Sequence, residues 1–305
     1  MLKKLKAVTL ITALLLFGTT QSLSDELKIV DEVKFKKIID KKNEMNRYEA
    51  SGVSFVNDKF YVVFDNSSQV ARVNMKLTKA KLLGKESKKV GFEGMTYNPL
   101  KKEFYLVEES LEHKGEWNAR LSVTDKDFAL KSKKRWLDYA FESDNKGFEG
   151  LAFLHKNDTT YLLALCEGNA CKAGSEGKEV GGGTIQVFEK KKKTWKRIRS
   201  INLPSSLRFT DYSGLDISAD NTLAVSSQES SAIWIAKLDT NAWKTVGSGK
   251  VYGFPKNKKG DTVYCNVEGV SWIDSQHLVV ISDAKKKSQP KRCKKKEQSI
   301  HIGHL

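Results

Sequence analysis

The sequence is poor in the residues and motifs that mark the common hydrolase, nucleotide-binding and metal-protein families. It contains 4 proline, 4 cysteine and 5 histidine residues in 305 positions. No Gly-x-Ser-x-Gly, His-Glu-x-x-His or phosphate-loop motif occurs, and the histidines show no triad spacing. No familiar catalytic class is therefore indicated by a motif.

Long apolar runs are also lacking. The apolar stretch at residues 7–18 is too short to span a bilayer comfortably. It follows Lys3, Lys4 and Lys6, and the polar segment after it ends in small residues before Asp25. This pattern predicts a signal peptide over residues 1–24, with a short membrane anchor as the alternative. Residues 25–305 are then expected to form a single exported domain, periplasmic or extracellular, that does not span a membrane.

The few cysteines have a spacing that favours disulfides over zinc. An even number of cysteines in an exported chain suggests two bridges. Cys-x4-Cys is not a zinc-ligand spacing. Of the three possible pairings, we favour Cys166–Cys171 and Cys265–Cys293.

Five short segments repeat one pattern: an oxygen-bearing residue, a glycine, and then an alternation of apolar and small or polar residues. They begin at Ser51, Glu93, Glu149, Ser213 and Glu268. A strand-like run follows each one, at residues 60–64, 104–107, 161–165, 222–225 and 277–281. A third β-type run follows at 69–74, 119–124, 184–188 and 232–237. The repeat predicts one supersecondary unit used five times, without a long amphipathic helix.

The spacing of the repeats predicts an all-β fold, a five-bladed β-propeller. Four antiparallel strands with their turns fit each interval, and radial repetition of such units protects their edges. Too few residues follow Glu268 for four more strands, so the N-terminal segment Leu27–Ile39 is expected to join the C-terminal blade and close the ring. Strand alternation would send the first and third motif residues to one side and the glycine to the other.

The first motif residues predict a cation site. On five inner strands at one height, three carboxylates and two hydroxyls converge, and the carboxylates repel one another unless protonated or neutralised. Calcium accepts six to eight oxygen ligands in irregular geometry, and magnesium ranks second. The alternative is that these side chains bond to neighbouring backbone and pin blade to blade. The predicted ligands are Ser51, Glu93, Glu149, Ser213 and Glu268.

Three motif segments carry a family resemblance. Gly147-Phe-Glu-Gly-Leu-Ala-Phe153, Tyr212-Ser-Gly-Leu-Asp216 and Val267-Glu-Gly-Val-Ser-Trp272 resemble the SdiA-regulated (YjiK-like) group of bacterial β-propellers and the esterase-like phytases. The order Ser, Glu, Glu, Ser, Glu is also similar to the calcium ring of calcium-activated nucleotidases (apyrases), which are five-bladed. The resemblance implies the same five calcium ligands. The rest of the apyrase pattern is not evident, so nucleotidase activity does not follow from it.

Two further sets of charged residues are expected near the start of the inner strands. Acidic residues where the second strands end could form a second ring, or could be solvated loop acids: Asp65, Glu108, Glu109, Glu167, Glu229 and Asp283. The net charge of +16 favours anionic partners, although solvated lysines explain it equally. The predicted anion-binding residues are Lys285, Lys286, Lys287, Lys291 and Arg292.

Two functions of different classes fit these features. The first is an exported, monomeric calcium-binding propeller that binds an anionic small molecule or acidic polymer, with no specific nucleic-acid role. The second is a calcium-dependent phosphohydrolase acting on nucleotides or another phosphate ester. No catalytic residue can be assigned, and the fold by itself does not choose between them.

Overall fold

The computed structural model describes residues 25–40, 42, 45–86, 91–129, 131, 134–144 and 146–305. The predicted signal peptide, residues 1–24, lies outside the described residues, as does the side chain of Glu109. None of the helices in the described part is both long and apolar enough to cross a membrane.

The protein is all-β, with 55% strand and 6% helix. Among the described residues the α-helix is α1, the single turn Phe35–Ile38. The strands in chain order are β1 Asp25–Glu26, β2 Lys28–Lys34, β3 Ala50–Val56, β4 Lys59–Phe64, β5 Ser67–Asn74, β6 Ala80–Leu83, β7 Gly94–Asn98, β8 Glu103–His113, β9 Glu116–Thr124, β10 Arg135–Phe141, β11 Phe148–Lys156, β12 Thr159–Cys166, β13 Thr184–Lys191, β14 Thr194–Asn202, β15 Gly214–Ile217, β16 Thr222–Ser227, β17 Ala232–Asp239, β18 Lys244–Gly253, β19 Val267–Trp272, β20 His277–Ser282 and β21 Ser299–His304. The predicted first and second strands of all five repeats, and the four predicted third strands, are confirmed in position.

The strands of the described residues form four sheets rather than five separate ones. Two sheets have four strands, and a third has four antiparallel strands plus the short β1 at its edge. The fourth has eight strands, in which β7–β10 and β11–β14 are joined by one parallel pair, Leu137 with Trp195. The register of β10 against β9 shifts between Trp136 and Ala140, which lets β10 leave one partner and meet the other.

The N-terminal strand closes the C-terminal sheet. Strand β2 runs antiparallel to β21, with Val33 opposite Ile300, and completes the order β19–β20–β21–β2. The predicted strand is too long, because the chain turns into α1 after Lys34. Phe35 and Ile38 of that helix enter the core, and their burial explains the change.

Five inner strands, β3, β7, β11, β15 and β19, contact one another in cyclic order. Their motif glycines make this possible. A Cβ atom on Gly52 would lie 2.9 Å from the Cα of Gly94, and one on Gly269 would lie 2.9 Å from the Cα of Gly52. The remaining members approach in the same way, Gly94 to Gly150, Gly150 to Gly214 and Gly214 to Gly269. We call these five residues the glycine ring.

The core is divided in the same cyclic way. Buried apolar residues of the described chain form five clusters, each between neighbouring sheets or halves of the eight-stranded sheet. One cluster, for example, packs Val62 and Phe64 against Val279 and Ile281, which joins the first sheet to the last. The apolar faces of consecutive sheets therefore bury one another around a common axis.

Candidate functional site

The first, third and fifth motifs begin with a β-bulge. Glu149 is the extra residue between the pairs Phe148–Cys166 and Gly150–Leu165. Ser51 occupies the same position in the first motif, and a register shift also falls between Val267 and Val270. In the second motif the N–H of Glu93 donates to the carbonyl of Val107, the residue that pairs with Gly94, at 2.9 Å. In the fourth motif the N–H of Ser213 donates to the carbonyl of Ser226, the residue that pairs with Gly214, at 3.0 Å. A bulge redirects the side chain of its extra residue, so simple strand alternation does not fix the direction of the first residue in the first, third and fifth motifs.

The two motif serines bond to the backbone of the next motif. The Ser51 hydroxyl donates to the carbonyl of Phe92, immediately before Glu93. The Ser213 hydroxyl donates to the carbonyl of Val267 at 2.8 Å, immediately before Glu268. Both serines are buried. These contacts are the ones that the pinning interpretation predicts for the serine positions.

Glu268 faces other carboxyl groups from a half-buried position. The side-chain amide of Gln228 donates to Glu268 Oε1. Burial raises the pKa of Glu268 well above its usual range, and the charges of Asp283, Asp211 and Glu93 act in the same direction. The nearby ammonium of Lys286 opposes them.

Two predicted second-ring acids join this group. Burial, together with the charges of Glu49, Glu93 and Asp283, raises the pKa of Asp65 to about 8, although its side chain is reached by solvent. Burial and the charge of Glu49 raise the pKa of Asp283 to about 7. We call Glu49, Asp65, Glu93, Glu268 and Asp283 the acidic cluster.

Glu49 is a member that the sequence interpretation missed. It precedes Ser51 by two residues, and its backbone carbonyl accepts from the N–H of Asp65 at 2.9 Å. Arg47 forms an ion pair with it at 2.7 Å. Asp211 stands at the same distance before Ser213, so the position two residues before the motif was the available signal.

Asp211, Glu167 and Glu229 extend the acidic surface beyond the acidic cluster. Asp211 accepts from the hydroxyl of Ser227 at 2.6 Å and from the N–H of Glu229 at 3.0 Å. Burial raises its pKa, and the charges of Glu229 and Glu167 add to the effect. Glu167 is paired with Lys146 at 2.7 Å.

Glu108 has its own set of compensating partners. Glu108 is buried and forms ion pairs with Arg120 and, at 2.7 Å, with Lys134, while Ser122 donates to it at 3.0 Å. Its charge is thus already compensated within β8, β9 and the segment before β10. Glu149 lies half-buried at the bulge of the third motif.

Among the predicted basic residues, Lys286 is linked to the acidic cluster through one side chain, Gln228. The ammonium of Lys286 donates to Gln228 Oε1 at 2.6 Å, and Gln228 in turn bonds to Glu268. Lys285 donates to the carbonyl of Lys286 at 2.6 Å, and Arg292 Nε donates to that of Thr262 at 3.1 Å. Lys287 and Lys291 are exposed.

Both favoured disulfides are confirmed. The Cα atoms of Cys166 and Cys171 are 5.1 Å apart, and those of Cys265 and Cys293 are 5.5 Å apart. The second bridge ties the segment before β19 to the 3-10 turn Lys291–Lys295, which carries Arg292. It therefore holds Arg292, one of the predicted anion-binding residues, in the loop that is tied to the start of the fifth motif.

A second set of motif residues, at the fourth position, bonds between neighbouring inner strands. Asp216 Oδ2 accepts from the Ser271 hydroxyl at 2.7 Å and from the Trp272 N–H at 2.8 Å. Thr96 accepts from the Phe153 N–H at 3.0 Å. Burial raises the pKa of Asp216 to about 6, against the lowering effect of its donors. The sequence interpretation missed this set because Ser, Thr and Asp at that position read as ordinary alternation.

The side chains of the acidic cluster offer oxygen donors, which suit a hard cation such as calcium. In the described part of the chain, no group of three or more histidine, cysteine, aspartate or glutamate side chains has the geometry of a formed metal site. The carboxyl groups are therefore close enough to influence one another without being arranged as a closed coordination sphere.

Comparison with known proteins supports the fold. No family model and no curated protein matches the chain. Its fold is similar to that of glutaminyl cyclase from Myxococcus xanthus (TM-score 0.54, 10% identity, 92% of this chain and 96% of that one). It is also similar to PQQ-bound aldose sugar dehydrogenase from Streptomyces coelicolor (0.52, 10%, 92% and 98%) and to the GH43_1 enzyme from Xanthomonas citri with xylose (0.52, 12%, 86% and 88%). These are β-propeller-like enzymes, and identities this low give the fold alone.

Proposed function

We propose that the chain is a five-bladed β-propeller whose acidic end binds a divalent cation, with calcium preferred. The five-blade count is supported by the glycine ring, by the five apolar clusters and by the single parallel pair that links β10 to β14. On this view the eight-stranded sheet is two blades in edge contact.

One observation carries the cation proposal: carboxyl groups from distant parts of the chain meet at one end of the inner strands. Glu93 and Glu268 come from two motifs, and Asp65 and Asp283 come from the ends of β4 and β20. Like charges held this closely destabilise the ionised protein unless they take up protons or a cation. We place the cation on Glu93, Glu149 and Glu268, with Asp65 and Asp283 beside it.

The serines have a different role in this proposal. Ser51 and Ser213 donate their hydroxyl protons to the next motif, so they hold the ring together. Each hydroxyl oxygen keeps a lone pair that could face a cation, as the calcium-ring resemblance implies.

The proposed biological role is that of an exported binding protein of the SdiA-regulated type, acting as a monomer. An anionic small molecule or acidic polymer would contact the basic loop of Lys285, Lys286, Lys287, Lys291 and Arg292, beside the cation. Lys286 is the member of that loop already linked to Glu268 through Gln228.

The test compares Glu268→Gln with wild type after removal of metal with a chelator. Calcium should stabilise wild type, by about 2.7 kcal/mol at a hundredfold excess over Kd. Glu268→Gln should lose most of that response. Without calcium, the variant should be as stable as wild type or more stable near neutral pH, because glutamine mimics the neutral acid that burial favours.

Glu103→Gln is the matched control, because Glu103 lies at the opposite end of the β7–β8 pair from Gly94. It should keep the calcium response. The cation proposal is wrong if the purified protein contains no bound metal and its melting temperature does not rise when calcium or magnesium is added. Phosphate release from nucleotides or phytate above that of Glu149→Gln would favour the phosphohydrolase alternative over a pure binding role.

A further inference from the structure

Three side chains in the closing sheet form a continuous hydrogen-bonded relay. His301 Nε2 lies 3.0 Å from the Ser282 hydroxyl, and His301 Nδ1 lies 3.0 Å from Glu32 Oε2. The residues sit on three adjacent strands, β20, β21 and β2. The neutral ring must donate from Nδ1 to the carboxylate, which accepts only, so Nε2 accepts from Ser282.

Glu32 is fixed by two further groups. The Tyr264 hydroxyl donates to Glu32 Oε2 at 2.9 Å, and the ammonium of Lys296 pairs with Oε1. The Tyr264 ring also packs edge-on against the imidazole of His301, with centroids 5.1 Å apart. The charged and titratable groups that face His301 are therefore Glu32 from β2, Tyr264 from the segment before β19, and Lys296 from the segment before β21.

The order Ser–His–Glu matches that of a hydrolytic triad, but its burial does not. Ser282 is 1% exposed and His301 is fully buried, so no substrate can reach the hydroxyl while the sheet is intact. A nearby surface groove of about 610 Å³ is lined by Glu32, Tyr264 and Lys296 but not by Ser282. The relay thus joins strands rather than presenting a nucleophile.

We propose that the Ser282–His301–Glu32 relay is a proton-sensitive lock on the closure of the chain ends. In its neutral form His301 bonds β21 to the N-terminal strand β2 on one side and to β20 on the other. Protonation of His301 places a positive charge in the closing sheet. Nε2 then carries a hydrogen and can no longer accept from the Ser282 hydroxyl. Strand β2 carries the backbone pairing of the N-terminal segment with this sheet and holds Glu32, so it is the element that loosens.

The pKa of His301 determines whether the lock weakens at low or at high pH. Burial lowers the pKa of His301 below its ordinary value of 6.5; the bond and charge of Glu32 oppose this shift, and Lys296 adds to it. The unfolded or detached chain therefore binds the proton more readily than the closed sheet. The stabilisation is complete above pH 6.5 and is lost as the pH falls below that value.

The experiment measures hydrogen exchange of β2 in the full chain, corrected for intrinsic rates, from about pH 7.5 to about pH 5. Opening of β2 should increase by up to about tenfold per pH unit below 6.5, the limit for one linked proton. His301→Asn, which keeps a donor toward Glu32, and His301→Gln, which keeps an acceptor toward Ser282, should both abolish this dependence. Exchange in β16, which lies in another sheet, serves as the internal reference.

A second measurement uses the wild-type protein and so does not depend on the folding of a variant. The ring signal of His301 in wild type, labelled on histidine, should titrate below pH 6.5. Titration at or above that value, or β2 exchange that is equally pH-dependent in both variants, would overturn the lock. Labelling of Ser282 by a fluorophosphonate probe in the folded protein would also overturn it, because the hydroxyl would then be a reachable nucleophile.

Discussion

The second residue of each motif leaves little or no room for a side chain. A Cβ on Gly150 would lie 2.5 Å from the backbone nitrogen of Leu215 and 2.7 Å from its Cβ. The space at Gly94 is less restricted, with the nearest atom, the carbonyl oxygen of Glu149, at 3.1 Å. The ring is therefore not equally tight at its five positions.

This difference predicts unequal costs for two alanine substitutions. Gly150→Ala requires backbone movement between two inner strands and should destabilise the protein by about 1–3 kcal/mol or more. Gly94→Ala should cost less, because shifts of a few tenths of an ångström relieve it. Chemical unfolding of both variants checks the order; equal losses would contradict the close approach at Gly150.

Asp216 gives a second residue-level prediction. Its carboxylate accepts from Ser271, Trp272 and, at 2.8 Å, the N–H of Ile217. Asp216→Asn turns an NH2 group toward donors and should cost about 1–3 kcal/mol. Ser271→Ala removes one donor and should cost less. The free energies of unfolding of the two variants test this, and an unaffected Asp216→Asn would mean that the bonds contribute nothing net.

At the scale of single elements, sequence periodicity located most strands but not the bulges. The run Phe60–Phe64 is continuously apolar, rich in β-branched and aromatic residues, and bounded by turn residues, so its local pattern was sufficient. A bulge at Ser51 leaves the same local pattern as a regular strand and depends on the partner strand, which is remote in sequence. The first motif residues were therefore identified as a set while their directions were not.

The closing sheet shows the same limit for pairs of side chains. His301 and Glu32 are 269 positions apart, so spacing along the chain could not indicate that they touch. The histidines show no triad spacing along the chain, yet a Ser–His–Glu relay exists in space. Circular closure places the two ends of the chain side by side, which local patterns do not encode.

The two disulfides should differ in their contributions to stability. Cys265–Cys293 closes a loop with a sequence separation of 28, whereas Cys166–Cys171 closes one of 5. The chain-entropy relation gives about 3.6 and about 2 kcal/mol, respectively. Paired alanine replacements with unfolding measurements test the order. A greater loss on removing Cys166–Cys171 would place its effect in the native loop rather than in the unfolded chain.

At the scale of the whole molecule, five inner strands form a closed set, and Glu93 and Glu268 from two of their motifs lie near carboxyl groups at the ends of β4 and β20. Contact between the first and last sheets brings Asp65 and Glu49 beside Asp283. The acidic cluster therefore exists only when the molecule is closed, and its electrostatic cost is a cost of closure. That link between site and fold predicts how the metal-free protein responds to pH.

The pKa values of Asp65 and Asp283, about 8 and about 7, exceed their ordinary value of 3.8. The folded protein thus holds protons that the unfolded chain releases, and metal-free stability should fall as pH rises from about 4 to about 8. Asp283→Asn should flatten this decline by at most about 1.4 kcal/mol per pH unit, the value for one proton. His301 acts in the opposite direction, so the slopes of the variants are compared with that of wild type.

Urea unfolding with a chelator at several pH values measures these slopes. Asp158→Asn, in an exposed turn after β11, is the matched control and should keep the wild-type slope. Calcium added near the upper end of the range should remove most of the decline in wild type, because it replaces the protons as the neutralising charge. Equal slopes of unfolding free energy against pH for Asp283→Asn and wild type would mean that the carboxyl groups of the acidic cluster do not repel one another measurably. The cation proposal would then lose its electrostatic basis.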